Sequence, residues 1–595
     1  MSHIKKRIAT LRKAMAKARL DAYLIPSSDP HQSEYVADHW NSRTWISGFT
    51  GSAGIVVVTA KDAYLWTDSR YFLQADTQLK DSGIELQKQR VPHAPEHLDW
   101  LRQHLPSDAV VGIDGKNFSV GQVQALRKHV EEKGITVDTA QDLLAEIWED
   151  RPDLPNTPIF EHEEKFAGAD RKDKIRAIQA KMATYGATYH LMTTLDDVAW
   201  TFNIRGKDVD FNPVAIANAI IGKEVSYLFI DPQKVPDTLR KSFDKLAIVI
   251  KPYNALDQFL KDLPKGKILI DPDKINAHLH SLIDPEKILH APTIAIHLKA
   301  IKNEVEIAHM KAVMVRDGVA LTQFYRWLEK ELENRSVTEC EAAEQIAYFR
   351  KAQGAYHGES FSAIVGYKEN GAIVHYRPMP ETCAAIEKSG VLLIDSGGQY
   401  EDGTTDITRT ISLGHATKEQ KKCYTLVLKG HIAIATLVFP RGTKGLQMDA
   451  FARQALWRNH LDYGHGTGHG VGFFLNVHEP PQGFTTTASR GGLTPIEEGM
   501  ITSNEPGFYK TGAFGIRTEN LMLTVNDETN EYGDFLRFET ITLFPIDKKL
   551  IDLKLLTDLE IDWINQYHQE VEDQLLPHLS KEEQKWLAEK CREIG

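Results

Sequence analysis

Apolar residues recur at helical spacing near the start of the chain, at Ile8, Leu11 and Met15, and a short apolar run, Ala22 to Ile25, follows them. Steps of three and four predict an amphipathic helix, and the run after it a strand. The pattern returns downstream. Ile8, Leu11, Met15 and Leu24 recur as Ile175, Ile178, Met182 and Leu191, a constant shift of 167 positions that Asp29 and Asp196 share. Further on, Tyr64-Leu-Trp-Thr-Asp68 is echoed by Tyr227-Leu-Phe-Ile-Asp231, and Val110-Val-Gly-Ile-Asp114 by Ile268-Leu-Ile-Asp271. Helices and strands alternate in both copies, which predicts two related α/β domains.

The pattern changes after His290-Ala-Pro. Ile296 to Leu332 reads as long helices, with Lys302, Glu304 and Glu306 on exposed faces. Beyond them, the apolar run Val391 to Ile394 ends on Asp395, and a run rich in β-branched residues starts after Asp406. Gly-Gly and Asp-Gly turns separate the two runs, so they are expected to fold back on each other. The last segment, Leu553 to Gly595, is helix-rich and charged and is expected to pack on the outside. Three prolines between Pro152 and Pro158 mark an extended connector. The expected domains are 1–150, 151–294 and 295–595.

Composition narrows the class. A chain of 595 residues is too long for one core. Its 42% hydrophobic and 26% charged content is ordinary for a globular protein. The net charge of −12 disfavours nucleic acid or an anionic membrane as partner. The first residues are charged and lack the apolar core of a secretory signal, and no run of 18 apolar residues is present, so a cytoplasmic location without a membrane anchor is expected. Cys340, Cys383, Cys423 and Cys591 are scattered without metal-ligand spacing and read as reduced structural thiols.

A carboxylate at the buried end of an apolar strand is costly unless a positive group offsets it. Asp395 and Asp406 both have this problem, and a metal ion is the obvious partner. Downstream come His465-Gly-Thr-Gly-His469, then Asn476-Val-His478-Glu479, then Ser503-Asn504-Glu505-Pro506, and last Arg517-Thr-Glu519. Two Asp, one His and two Glu form a hard, mostly oxygen donor set. Bridging carboxylates can hold two divalent ions about 3.5–4 Å apart. Such a set suits Mn²⁺ over thiolate-preferring metals, with Zn²⁺ and Co²⁺ also compatible. Each motif alone is weak; their joint occurrence in this order carries the reading.

These motifs resemble those of the pita-bread metallopeptidases, the group of methionine aminopeptidases, prolidases and aminopeptidases P, and most of all the long, three-domain cytosolic aminopeptidases P. The likeness extends over nearly the whole chain, through Ser47-Gly-Phe-Thr-Gly-Ser-Ala-Gly54, Trp66-Thr-Asp-Ser-Arg70, Trp148-Glu-Asp-Arg-Pro152, Asp196-Asp-Val-Ala-Trp200 and Phe538-Glu-Thr-Ile-Thr. It implies two creatinase-like N-terminal α/β domains followed by a catalytic pita-bread domain of α+β type. It also implies that Asp395, Asp406, His469, Glu505 and Glu519 are the metal ligands and that Glu505 accepts the proton of the attacking water. His375, His478 and His465 would line the substrate cleft, with His375 and His478 near the scissile carbonyl and His465 shaping the proline side. Arg70 matches a peptide-binding position, although a salt bridge to Asp68 serves equally well. Arg517 reads as a residue holding the carboxylate of Glu519.

The activity so implied is release of the first residue from peptides with proline second, by a homodimer. The Xaa-Pro bond lacks an N–H, so a site that does not grip that N–H suits it. The alternatives are a prolidase, usually with a single N-terminal domain; a shorter methionine aminopeptidase; a creatinase-like hydrolase without the full metal set; and a non-catalytic scaffold, which typically loses ligands.

Overall fold

The two copies read from the sequence form two sheets of six strands with one topology. In the first, strands β1 (Ala22–Pro26), β2 (Ile55–Thr59), β3 (Ala63–Thr67), β4 (Glu85–Lys88), β5 (Val110–Ile113) and β6 (Thr136–Asp138) are ordered β4-β3-β2-β1-β5-β6. In the second, β7 (Tyr189–Met192), β8 (Asn218–Gly222), β9 (Ser226–Phe229), β10 (Ile248–Lys251), β11 (Ile268–Ile270) and β12 (Ile288–His290) are ordered β10-β9-β8-β7-β11-β12. Every neighbour pair keeps its sense. The central three strands of each sheet run antiparallel, and the outer pairs run parallel. The computed structural model describes residues 3–90, 94–488 and 491–595.

The sequence shift of 167 is thus a shift of whole elements. The helix His3–Lys17 buries Ile8, Leu11 and Met15, and the helix Arg171–Thr184 buries Ile175, Ile178 and Met182. Both sheets belong to one compact unit, Met1–Glu164 with Ala169–Ile296. Within it, Ser119 bridges Asn276, and the ring of His31 contacts the carbonyl of Thr193 and the hydroxyl of Tyr253.

The second unit comprises Lys165–Gly168 and His297–Gly595. Its long helix, Glu304–Glu331, opens on a capping box: Asn303 accepts from the Glu306 N–H, and Glu306 returns a bond to the Asn303 N–H. This overturns one expectation. Glu304 is exposed, but Glu306 and Lys302 are buried. The cap explains Glu306. Lys302 is buried because its ammonium donates to Glu479, which is also buried and lies 3.6 Å from Lys299 Nζ.

The core of this unit is a set of antiparallel ladders. Val391–Ser396 pairs with Ile407–Ser412, and Asp395 lies opposite Thr408. The terminal segment does more than cover the outside. Its helix Asp558–Leu575 buries Ile564, Tyr567, His568 and Val571, and Tyr567 Oη meets Arg409 and Asn520 in the interior. Apolar spacing alone does not distinguish a covering helix from one that inserts a polar tip. Among the described residues no helix is long and apolar enough to cross a membrane.

Candidate metal centre

Strand register brings the carboxylates together. Ile501–Asn504 pairs with Asn520–Asn530 so that Asn504 faces Asn520. Gly507–Lys510 pairs with Phe514–Arg517 so that Gly507 faces Arg517. Both ladders keep one register, and Glu505 and Glu519 lie opposite each other where it is interrupted. Their backbone N–H groups turn elsewhere, Glu505 to the Thr467 carbonyl at 2.8 Å and Glu519 to the Thr408 carbonyl at 3.1 Å. The first bond ties the histidine loop to Glu505; the second ties Glu519 to the strand after Asp406. The gap in the ladder is what lets two acidic side chains turn toward a third and a fourth.

His469 enters on a short strand, Gly468–His469, whose backbone is bonded to Ser503 Oγ at 2.9 Å. A Cβ at Gly468 would stand 1.9 Å from the Ser503 carbonyl oxygen, so only glycine allows this approach. The His469 Nδ1 sits 3.0 Å from the Gly470 carbonyl. A donor at Nδ1 leaves Nε2 as the ligand atom. That Nε2 lies 3.5 Å from Asp406 Oδ2 and 3.4 Å from Glu505 Oε1. Ligand atoms of Asp406, His469 and Glu519 all fall within 4.8 Å of one another.

The electrostatics are those of a cation site. Burial raises the Asp395 carboxyl to about 7, with Arg517 opposing and Asp406 and Glu505 adding to the rise. Burial also raises Glu519, reinforced by Asp406, Asp395 and Glu505. Glu505 is raised by burial, against the pull of His469 and Arg517. Burial disfavours a charged His469, but its bond to Asp406 and the Glu505 charge prevail and raise it to about 9. Asp395 Oδ1 is buried with no hydrogen-bond partner among the described residues. Like-charged buried oxygens and an orphaned carboxylate oxygen are what a dication satisfies. Four carboxylates, one imidazole and no thiolate fit a pair of hard divalent ions.

Around this cluster stands a shell that the motifs did not reveal. Arg517 Nη2 donates to Asp395 Oδ2 at 2.6 Å, not to Glu519 as expected. It reaches Glu519 through Thr408, whose hydroxyl lies 3.1 Å from Arg517 Nε and donates to Glu519 Oε2 at 2.8 Å. The reason is register. Arg517 lies on the strand beyond the interruption, alongside the end of the Asp395 strand. Tyr509 Oη accepts from Arg517 Nη1 at 2.6 Å and lies 2.8 Å from His465 Nε2. Tyr509 has no motif to announce it; its position four residues after Glu505 becomes informative only once the ladder is known. Beneath the glutamates, Arg409 donates to the Glu519 carbonyl at 2.6 Å and to Asn520 Oδ1 at 2.8 Å. His431 joins Asn504 to Asn520 at 3.0 and 3.1 Å, and burial holds it near pKa 3.

The other expected residues fall as follows. The His478 ring meets that of His469 edge to face, centroids 4.3 Å apart. His375 lies between Ile373 and Tyr376, which pack with Leu393 and Tyr509 beside the Asp395 strand. The His465 carbonyl accepts from Arg453, itself forked onto Asp449. Arg70, in the first unit, is buried and forks onto Asp68 with bonds of 2.8 and 2.7 Å.

Comparison with known proteins gives this arrangement its class. Residues 308–526 match the model of metallopeptidase family M24, and 534–594 match the C-terminal region of that family. Residues 7–147 and 150–306 each match the creatinase/prolidase N-terminal domain. The chain belongs to metallopeptidase family M24. Its full-length relatives narrow this further. A probable Xaa-Pro aminopeptidase P of Laccaria bicolor is 40% identical, covering 98% of this chain and 93% of its own. Xaa-Pro aminopeptidase 1 of Dictyostelium discoideum is 40% identical, covering 97% and 94%. The crystal structure of X-prolyl aminopeptidase from Caenorhabditis elegans, described as a cytosolic enzyme with a di-nuclear active site, superposes with a TM-score of 0.96. It is 35% identical, and the match covers 100% of both chains.

Proposed function

We propose that this chain is an Xaa-Pro aminopeptidase: it hydrolyses the bond between the first residue of a peptide and a proline in second position. The observation that carries the reading is the grouping of Asp406, His469 and Glu519 within 4.8 Å, with Glu505 3.4 Å from His469 and Asp395 acting on the same carboxyls, in a chain 40% identical over its length to a Dictyostelium enzyme of that name. In this reading those five residues hold two divalent ions, with Mn²⁺ favoured by the oxygen-rich set and Zn²⁺ or Co²⁺ compatible. Bound there, the ions supply Lewis acidity and a water acidic enough to be deprotonated near neutral pH.

The remaining work falls to side chains. The Glu505 carboxylate takes the proton of the attacking water and passes it to the departing proline nitrogen. His478, packed edge-on against His469, and His375, set beside the Asp395 strand, orient the substrate and stabilise charge on its carbonyl oxygen. His465 is fixed by Tyr509 and shapes the proline side. Arg517 and Tyr509 keep Asp395 in place, so Arg517 acts through the ligand and not on the peptide. A buried fork onto Asp68 supports a structural part for Arg70. The reading takes 1–150, 151–294 and 295–595 as the three domains, a cytoplasmic location and a homodimer of C₂ symmetry. Exposed Leu446 and Trp457, at the two ends of the helix Gly445–Trp457, and Leu493 beside Leu446 support a self-associating face.

The test is purified, Mn²⁺-loaded protein with Xaa-Pro-Xaa, Xaa-Pro and Xaa-Ala peptides. Release of the first residue from the tripeptide is expected. Cleavage of Xaa-Pro dipeptides alone would make the protein a prolidase.

A further inference from the structure

Two of the four cysteines face each other. Val337–Thr338 pairs antiparallel with Ala385–Ile386, Val337 opposite Ile386 and Thr338 opposite Ala385. The register continues one step, since the Glu339 N–H donates to the Ala384 carbonyl at 3.0 Å. The next opposed positions are Cys340, in the first turn of the helix Glu339–Ala352, and Cys383. Opposed residues within such a ladder have Cα atoms about 4.5–5.5 Å apart, and a disulfide spans roughly 4.4–6.8 Å; the two cysteines leave the ladder from adjoining positions, just past its last bonded pair. The Cys383 thiol is near enough to that of Cys340 to act on its ionisation. Both are half-buried, whereas Cys423 and Cys591 are buried.

We propose that Cys340 and Cys383 are a redox modification site: a dithiol that closes to an intramolecular disulfide when it meets a low-molecular-weight disulfide such as oxidised glutathione. The Cys383 thiolate attacks one sulfur of the oxidant and expels the first small thiolate. The resulting mixed disulfide is attacked at the Cys383 sulfur by Cys340, which gives up its proton and expels the second. Two protein thiols lose two electrons and two protons, and one small disulfide becomes two thiols. Burial and the neighbouring Cys383 thiol push the Cys340 thiol up to about 12, so Cys340 is the poorer first attacker.

The bridge would close a loop that contains His375. The interior of that loop and its far end already converge on Glu339, which is buried and accepts from the N–H groups of Tyr367 and Ala384, from Asn370 Nδ2 and from Tyr376 Oη. A covalent tie at Cys340 and Cys383 adds to this hub without displacing any of its bonds.

The experiment equilibrates the full-length protein in glutathione buffers of rising oxidation, blocks free thiols and maps the peptides by mass. A linked pair of peptides, two hydrogens lighter than their sum and containing Cys340 and Cys383, is expected, with Cys423 and Cys591 unmodified. The linked species should have the higher melting temperature and lose that gain on reduction. Cys340→Ser should instead trap a glutathione adduct on Cys383. Separate Cys340 and Cys383 peptides at every ratio, or stable glutathione adducts on both in the unsubstituted protein, would overturn the proposal. The mass readout is independent of any peptidase activity, so it stands or falls apart from that reading.

Discussion

The two units treat buried charge in opposite ways. In the first, two buried carboxylates each have a counter-ion of their own. Asp68 is forked onto Arg70, and Asp208 is bonded to Lys234, both members of each pair being almost fully buried. In the second, Asp317 with Arg350 and Asp449 with Arg453 follow the same rule, but the centre breaks it. Asp395, Asp406, Glu505 and Glu519 converge on one imidazole and one guanidinium, and burial with mutual repulsion raises three of the four carboxyls. A fold that matches these four buried carboxylates one to one with cations, and gathers four more at one point, marks that point as the place for an external cation. The perturbed groups are then evidence of function because paired ions of equal burial lie in the same chain.

The strongest way to break this contrast is to remove a carboxylate from the surplus. Asp406→Ala and Glu519→Ala are each expected to lower bound metal below two ions per chain. Hydrolysis should fall by more than the roughly 10–100-fold typical of changes in the outer shell. Elemental analysis beside a peptide assay decides it. Near-normal turnover with full metal content would show that the residue is no ligand.

Next in size is His478→Ala. The metals should stay and kcat should fall by roughly 10²–10³, as for loss of one donor aimed at developing charge. KM should change less, since uniform binding is not what is lost. His375→Ala should behave alike. A normal kcat per folded, metal-loaded molecule would reduce either histidine to packing.

A third change probes the paired side of the contrast. Lys234→Met leaves Asp208 buried beside the Ile216 N–H and Thr157 hydroxyl alone. Breaking one partner of a buried ion pair costs roughly 3–5 kcal/mol. Stability should therefore fall while metal content and turnover per folded molecule hold. A loss of turnover without a loss of stability would reverse the assignment of the two regions.

Part of this arrangement is legible in the sequence alone. The duplication could be read because a helix and a strand each expose a period, and the same residues recur at one shift. The five candidate ligands could be read because their short motifs follow one another in a single order that resembles a known family: Asp395 ending an apolar run, His469 among glycines, Glu505 before Pro506, with Asp406 and Glu519 between and after them. What holds them could be read only in part. Arg517 is placed beside Glu519 by its position in the chain, but it meets Tyr509 as a diagonal neighbour in one hairpin, and register is a property of paired strands. Lys302 looked exposed because a charged residue before a helix usually is; its partner, Glu479, is remote in the chain. Tyr567 reaches Arg409 from a tail whose apolar spacing predicted no more than a cover. Cys340 and Cys383 looked scattered for the same reason.

The smallest effect concerns pH and compares the units through two buried histidines. His190 has Nδ1 3.2 Å from the Leu269 carbonyl, while its Nε2 accepts from the Ile294 N–H at 3.2 Å. In the second unit, His568 Nε2 accepts from the Ile546 N–H at 3.0 Å. Each accepts through Nε2, so each is neutral, and protonation would set a ring N–H against a backbone N–H. Burial lowers His190 to about 4; burial, with Lys548 and Arg409, lowers His568 to about 3. The unfolded chain titrates near 6.5. Between about 4 and 6.5 the unfolded state therefore binds more protons than the folded one, and stability falls as pH falls. The slope is about 1.4 kcal/mol per pH unit for each such group. In a series of urea melts across that range, His190→Gln should flatten the acid slope of the transition that unfolds the first unit and leave that of the second unchanged. His568→Gln should do the reverse. An unchanged slope in both variants would mean that these rings carry no part of the acid sensitivity.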